Sequence, residues 1–234
     1  MGEEQDAHDS EVNPGGEHDR LARVYDGYLS DPPRRRAWDA RSCGNAAIRE
    51  ELARAMLDHV PEVIHGRGTL LDAGCGTGWW LERLLREGVG AERLVGVEFL
   101  SERVHAAALR APGARVEHAD ARRLPMADDS CSLVTLFTVL SSMGSAEDAR
   151  AAMRESLRVL APGGAIAVWE PRWPTLNPDT RLVRLGELRA ALGARLTVQR
   201  ITLAPPLARR VGHLYEPLAR VPALRSHRLV LAHL

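Results

Sequence analysis

The sequence contains no lysine; all 31 of its basic residues are arginine. That absence removes one class of nucleotide site, because a P-loop needs G-K-[ST] after its glycines, with the lysine reaching the phosphates. Cysteine is scarce as well. Cys43, Cys75 and Cys131 are scattered, with no C-x-x-C pair, which fits a reducing compartment and argues against a structural zinc site. Neither sign of charge is in excess: 31 basic residues balance 31 acidic ones. No global field therefore recruits nucleic acid or an anionic membrane. No long apolar run and no leader-like segment stand out, which predicts a soluble, cytoplasmic protein without a membrane partner. No internal repeat is visible. What is present suffices for a globular core, with 45% hydrophobic residues. A length of 234 residues allows one domain, or one domain with a helical addition.

The chain is organised around Thr69 to Trp80, T-L-L-D-A-G-C-G-T-G-W-W. An apolar run ends at Asp72, glycines alternate at Gly74, Gly76 and Gly78, and a helical stripe follows at Leu81, Leu84 and Leu85. Strand, glycine turn and helix in that order make a cradle at the carboxyl end of a first strand. The main chain there can approach a ligand closely, and the helix start offers unpaired N–H groups. A plain strand-to-helix turn seldom needs three alternating glycines. A dinucleotide fingerprint would need glycine at position 79, where this chain has Trp79. G-x-G-x-G preceded by an acid remains, and Asp72 to Gly78 resembles motif I of class I S-adenosylmethionine-dependent methyltransferases.

Leu94 to Glu98 reads as a short buried strand ending in an acid twenty residues after Gly78. Glu98 there can accept two hydrogen bonds from a ribose diol, and Phe99 follows where it would flank the adenine. Arg115 to Asp120 reads as a third strand. Asp120-Ala121-Arg122 resembles the family's third cofactor contact, which implies an adenine role for Asp120 and Ala121, while Arg122-Arg123 reads as solvated surface. Leu124 to Ser130 resembles the family's loop before its fourth strand, Cys131 to Thr138, and turn chemistry suits Asp128 and Asp129 better than metal binding. Phe137 and Thr138 should face the methyl group. Ser141 and Ser142 either line the acceptor pocket or cap a helix. Arg158 to Gly164, R-V-L-A-P-G-G, before the apolar strand Ala165 to Glu170 is a further resemblance, and Trp173 follows at the ligand edge. A helix over Leu182 to Leu192, a strand over Leu196 to Leu203, a helix over Ala208 to Ala219 and a strand over His227 to His233 complete the pattern.

Residues 1–16 are acidic and polar and read as a disordered tail. From Glu17, Leu21, Val24, Tyr25, Tyr28 and Leu29 recur at helical spacing, and Asp31-Pro32-Pro33 stops them. Asn45 reads as the N-cap of a second helix, striped by Ile48, Leu52, Met56 and Leu57 and ended by Pro61. Residues 17–62 thus precede the first strand as a helical cover, leaving 63–234 as the cofactor-binding domain. In the resembled family such covers shape the pocket, which makes Tyr25 and Arg49 cofactor candidates and Tyr28 and Trp38 acceptor candidates.

The fold expected is α/β: a doubly wound, mostly parallel seven-stranded sheet with an N-terminal helical cover. The function expected is methyl transfer from S-adenosylmethionine to O, N or C of a small-molecule acceptor, an intermediate of bacterial secondary metabolism. Asp72, Ala73, Gly74, Cys75, Gly76, Gly78 and Trp79 would contribute the motif I part of the cofactor site. The strand-four end lacks Asn-Pro-Pro-Tyr, a magnesium-type acid and a nucleophilic Pro-Cys, so no metal and no nucleic acid partner are expected, with a monomer or homodimer as the assembly. His18, Tyr25, Glu170 and Tyr215 are candidate proton acceptors, none preferred. A non-catalytic S-adenosylmethionine-fold binding protein is the alternative; an NAD oxidoreductase ranks third because of Trp79.

Overall fold

The computed structural model describes residues 14–32, 42–175, 177–193 and 195–233. Trp38 and most of the proposed tail lie outside the described residues. Strands β1 (Thr69–Ala73), β2 (Leu94–Glu98), β3 (Arg115–His118), β4 (Cys131–Phe137), β5 (Leu160–Pro171), β6 (Leu196–Leu203) and β7 (Arg225–His233) form one sheet, ordered β3-β2-β1-β4-β5-β7-β6. The first five run parallel, and β7 inserts antiparallel between β5 and β6. This is the mostly parallel seven-stranded sheet that the alternating pattern predicts.

Strand side chains alternate between faces, and both faces here are covered. Leu70, Leu94, Leu133, Ala165 and Leu229 pack on one side with α2 (Cys43–His59), α3 (Pro61–His65), α4 (Trp79–Arg86) and α5 (Ser101–Arg110). Their neighbours Leu71, Val95, Val134, Ile166 and Val230 pack on the other with α6 (Ala146–Val159) and α7 (Leu185–Leu192). Two-sided burial explains why β1, β2 and β4 read as unbroken apolar runs.

Several boundaries differ from the sequence expectation, each for a local reason. Helix α1 covers Pro14–Ser30, beginning with a proline inside the stretch taken as tail. Ser42, not Asn45, caps α2: its Oγ accepts the Asn45 N–H at 3.2 Å, which makes Asn45 the third helical residue. Leu100 stands at the α5 N-cap, with Ser101 as the first helical residue, where residue type alone would make Ser101 the cap. Strand β5 begins at Leu160 because that residue already pairs with Cys131, and Gly163 then absorbs the register shift at a φ of 77°. The helix expected over 208–219 is two, α8 (Pro205–Val211) and α9 (Tyr215–Ala219), parted by Gly212 at φ 40°.

Candidate functional site

The carboxyl ends of β1, β2, β4 and β5 and the amino end of the antiparallel β7 open into a cavity of about 560 Å³, within the size range of small-molecule sites. The glycine turn after β1 forms its floor. Gly76 and Gly78 hold φ values of 58° and 75°, which side chains rarely adopt. A Cβ at Gly78 would stand 2.9 Å from Ala107 of α5, and one at Gly76 would stand 2.6 Å from the Arg103 guanidinium. Glycine at both positions therefore lets the turn lie against α5 and keeps its main chain bare toward the cavity.

Glu98 clamps this turn. One carboxylate oxygen accepts Gly76 N–H at 2.9 Å, and the other accepts the N–H groups of Phe99 and Leu100, each at 3.0 Å. A carboxylate offers about four lone-pair sites, so three are in use and Glu98 still forms part of the cavity wall. Asp72, the acid before the glycines, does not reach the cavity. It is buried and accepts the Thr135 hydroxyl at 2.7 Å, and burial pushes its pKa up to about 7. Ala73 and Gly78 also lie behind the wall, whereas Gly74, Cys75, Gly76 and Trp79 line it. The Cys75 thiol is pushed up by burial and stays protonated at neutral pH.

On the β2–β3 side, Phe99, Asp120 and Ala121 line the cavity. Arg122 corrects the surface expectation, since its side chain is only 8% exposed. It donates to Asp120 at 2.6 Å and, from its other terminal nitrogen, to Asp148 at 2.6 Å. The two carboxylates hold its pKa above the usual arginine value. Arg103 lies 4.1 Å from the Tyr25 ring centroid and also faces the cavity. Nothing in its helical stretch marked it in the sequence; only its place five residues after Glu98, one turn into α5, carried a signal.

Helix α1 forms the opposite wall through Tyr25 and Tyr28, and it is latched at both ends. Glu17 accepts the Gly144 N–H at 3.1 Å and pairs with Arg20, which donates to the Ser142 carbonyl. At the other end the Tyr28 hydroxyl accepts from the Asn177 amide at 2.7 Å. Arg49 of α2 stands 5.5 Å from the Trp79 ring centroid, and Trp79 stacks on Phe137 at 6.1 Å.

At the end of β4, Phe137, Thr138, Ser141 and Ser142 all line the cavity, as does Trp173 beyond β5. Thr138 sits at φ 59°, strained for a β-branched residue. Ser142 Oγ donates to the Thr138 carbonyl at 2.7 Å, so its hydroxyl is engaged in the turn. Of the four candidate proton acceptors, only Tyr25 reaches the cavity. His18 packs edge-on to Phe99, Tyr215 donates to Glu51 at 2.6 Å, and Glu170 is fully buried behind Ser141. Burial raises Glu170 to about 7, and one of its oxygens has no hydrogen-bond partner among the described residues. The sequence of β7, a polar start followed by an apolar run, gave no hint that Ser226 and His227 also line the cavity. Burial lowers His227 to about 4, and its ring stacks on Trp169 at 4.6 Å.

Among the described residues, no group of three or more His, Cys, Asp or Glu is placed to hold a metal ion, and no helix is long and apolar enough to cross a membrane. Residues 70–164 match the family described as "Methyltransferase domain". The chain is 36% identical over 164 residues to a malonyl-[acyl-carrier protein] O-methyltransferase of Halorhodospira halophila, covering 67% of this chain and 51% of that one. It is 28% identical over 128 residues to a dTDP-3-amino-3,4,6-trideoxy-alpha-D-glucopyranose N,N-dimethyltransferase of Streptomyces venezuelae, covering 55% and 51%. The chain thus spans about half the length of each of these relatives. A solved S-adenosylmethionine-dependent methyltransferase of Archaeoglobus fulgidus superposes with a TM-score of 0.60 at 17% identity, over 78% of this chain and 93% of that one. At that identity the likeness is one of fold.

Proposed function

We propose that the chain is a class I S-adenosylmethionine-dependent methyltransferase, with S-adenosylmethionine as its cofactor, and that it methylates O, N or C of a small-molecule acceptor. The observation that carries the reading is the bare glycine turn, clamped by Glu98 and opening into a cavity with room beyond it. A relative named as a dTDP-amino-sugar N,N-dimethyltransferase supports a small acceptor and bacterial secondary metabolism as its setting, while one named as a malonyl-[acyl-carrier protein] O-methyltransferase supports oxygen as the atom methylated.

The residues present fit the cofactor. Gly74, Cys75 and Gly76 would hold the amino-acid part against bare main chain, with Arg49 beside Trp79 as the charge-assisted partner of its carboxylate. Glu98 would accept a ribose hydroxyl with its remaining lone pair, and Phe99, Asp120 and Ala121 would frame the adenine. Asp72 would act through the turn it supports, by way of its Thr135 bond. When bound, S-adenosylmethionine supplies a methyl group activated on a positive sulfonium, which in-line attack by an acceptor lone pair removes as sulfur regains the C–S electron pair. Phe137, Thr138, Ser141, Tyr28 and Trp173 would position the acceptor, and α1 would exclude water, so that alignment carries much of the rate. Tyr25 is the one candidate among the four that could take an acceptor proton.

Two measurements test this. S-adenosylhomocysteine should raise the melting temperature by mass action, and NAD or ATP should not. An acceptor screen with labelled methyl donor should then give a labelled product. Equal stabilisation by NAD sinks the cofactor assignment; tight S-adenosylhomocysteine binding with no labelled product across broad acceptor classes favours the non-catalytic alternative.

A further inference from the structure

Glu17 and Arg20 pair with each other, and Arg122 joins Asp120 to Asp148. Glu98 is held by main-chain N–H groups, and Asp179 meets the Tyr28 hydroxyl at 3.5 Å. Arg103 lies on the Tyr25 ring, and against the lowering effect of burial Tyr25 and then Glu98 raise its pKa. Two cavity-lining cations remain, Arg49 and Arg209, and neither forms an ion pair among the described residues.

These two occupy different parts of the site. Arg49 lies over Trp79, the residue that follows the glycine turn. Arg209 belongs to α8, which follows β6 at the opposite edge of the sheet. Its Nε donates to Asn45 Oδ1 at 3.3 Å, and its two terminal nitrogens have no hydrogen-bond partner among the described residues. Asn45 and Arg49 are four residues apart on α2 and so share a face. The residue that Arg209 touches and Arg49 thus lie about one helical turn apart on α2, and all three line the cavity.

Burial lowers the pKa of Arg209, with no carboxylate to offset it. A half-buried guanidinium without a counter-charge is costly, and its planar fork matches carboxylate or phosphoryl oxygens two at a time. Beside it, Pro205, Trp169 and His227 give the cavity a flat apolar surface. His227 is neutral at physiological pH and adds no second cation there. We propose that the acceptor carries an anionic oxygen group, carboxylate or phosphoryl, seated on the Arg209 fork with its body against the Trp169–His227 stack. This rests on the methyltransferase reading for the word acceptor, but the anion site stands on its own geometry.

Calorimetric titration of benzoate, phenyl phosphate and benzamide, with and without saturating S-adenosylhomocysteine, tests it. At least one anion should bind, with neutral benzamide weaker by roughly tenfold or more. Which anion binds better tells a carboxylate seat from a phosphoryl one. Arg209→Gln should lose roughly tenfold or more of the anion affinity, Arg209→Lys should retain part of it, and both should bind S-adenosylhomocysteine as the parent does. Arg49→Gln should show the reverse. Absence of anion binding to the parent protein, equal binding of benzamide, or undiminished anion binding by a folded Arg209→Gln overturns the proposal. Failure of S-adenosylhomocysteine to bind the parent protein would instead defeat the cofactor reading, while the ligand-free titrations still decide on Arg209.

Discussion

The Glu98 carboxylate accepts three main-chain N–H groups while its outer face forms cavity wall. Glu98→Ala leaves those donors without a partner and removes the presumed ribose acceptor. S-adenosylhomocysteine affinity should fall by roughly 1.5–3 kcal/mol, the range for hydrogen bonds to charged groups. The ligand-free melting temperature should fall with it, because the turn loses its clamp, and Glu98→Gln should lie between. Calorimetry and a melting curve on each variant check both; unchanged affinity in a folded Glu98→Ala refutes the role. A second residue-scale prediction concerns Glu170. Its folded pKa is raised from the usual carboxyl value to about 7. Its favourable share of stability is thus complete below about pH 4.5 and is lost as pH rises through 7. Relative to Glu170→Gln, the parent should lose up to about 3 kcal/mol between pH 5 and pH 8. Urea unfolding midpoints at the two pH values read this, and parallel curves for the two proteins would show that burial does not raise Glu170. At this scale the sequence was informative where spacing constrains chemistry, as for Gly76 and Glu98. It was silent on Arg122 and Arg209, because whether an arginine is buried depends on carboxylates and helices far away in the chain.

Helix α1 is tied down by polar contacts at its ends. Arg20 and Glu17 hold the loop after β4, and Tyr28 holds Asn177. Such contacts break at lower cost than a packed core. Arg20→Ala should therefore speed S-adenosylhomocysteine release several-fold while leaving the global melting temperature nearly unchanged, since partly exposed ion pairs add little to stability. Stopped-flow displacement beside a thermal melt separates the two effects; a slowed or unaltered release rate contradicts the latch. The amphipathic stripe Leu21, Val24, Tyr25 and Tyr28 made this helix legible, and the open cleft was the natural place for it to bury. Its end points were less so. The proline at position 14 starts a helix as readily as it marks a tail. Likewise, Ser42 and Asn45 are equally good caps by residue type, and only the backbone decides between them.

At the scale of the whole molecule, the alternation of strand and helix from Thr69 onward fixed the parallel part of the sheet, because continuous apolar runs demand cover on both faces. The helix break at Gly212 was hidden, since glycine within a helical pattern is often tolerated. With no metal-ligating group among the described residues, EDTA should leave turnover unaltered once an acceptor is found; activity lost to EDTA and restored by magnesium would place a ligand set at the cavity that the described residues do not reveal. The position of β7 has a kinetic consequence. Strand β6 pairs with β7 alone, and β7 stands between it and β5. On a ribosome β6 would therefore emerge before any partner exists for it, an exposed edge awaiting a later segment. The same late strand brings Ser226 and His227 to the cavity. A nascent chain could thus complete its glycine cradle while one wall of the acceptor side is still being synthesised, so ligand binding and full assembly would be separable events in time.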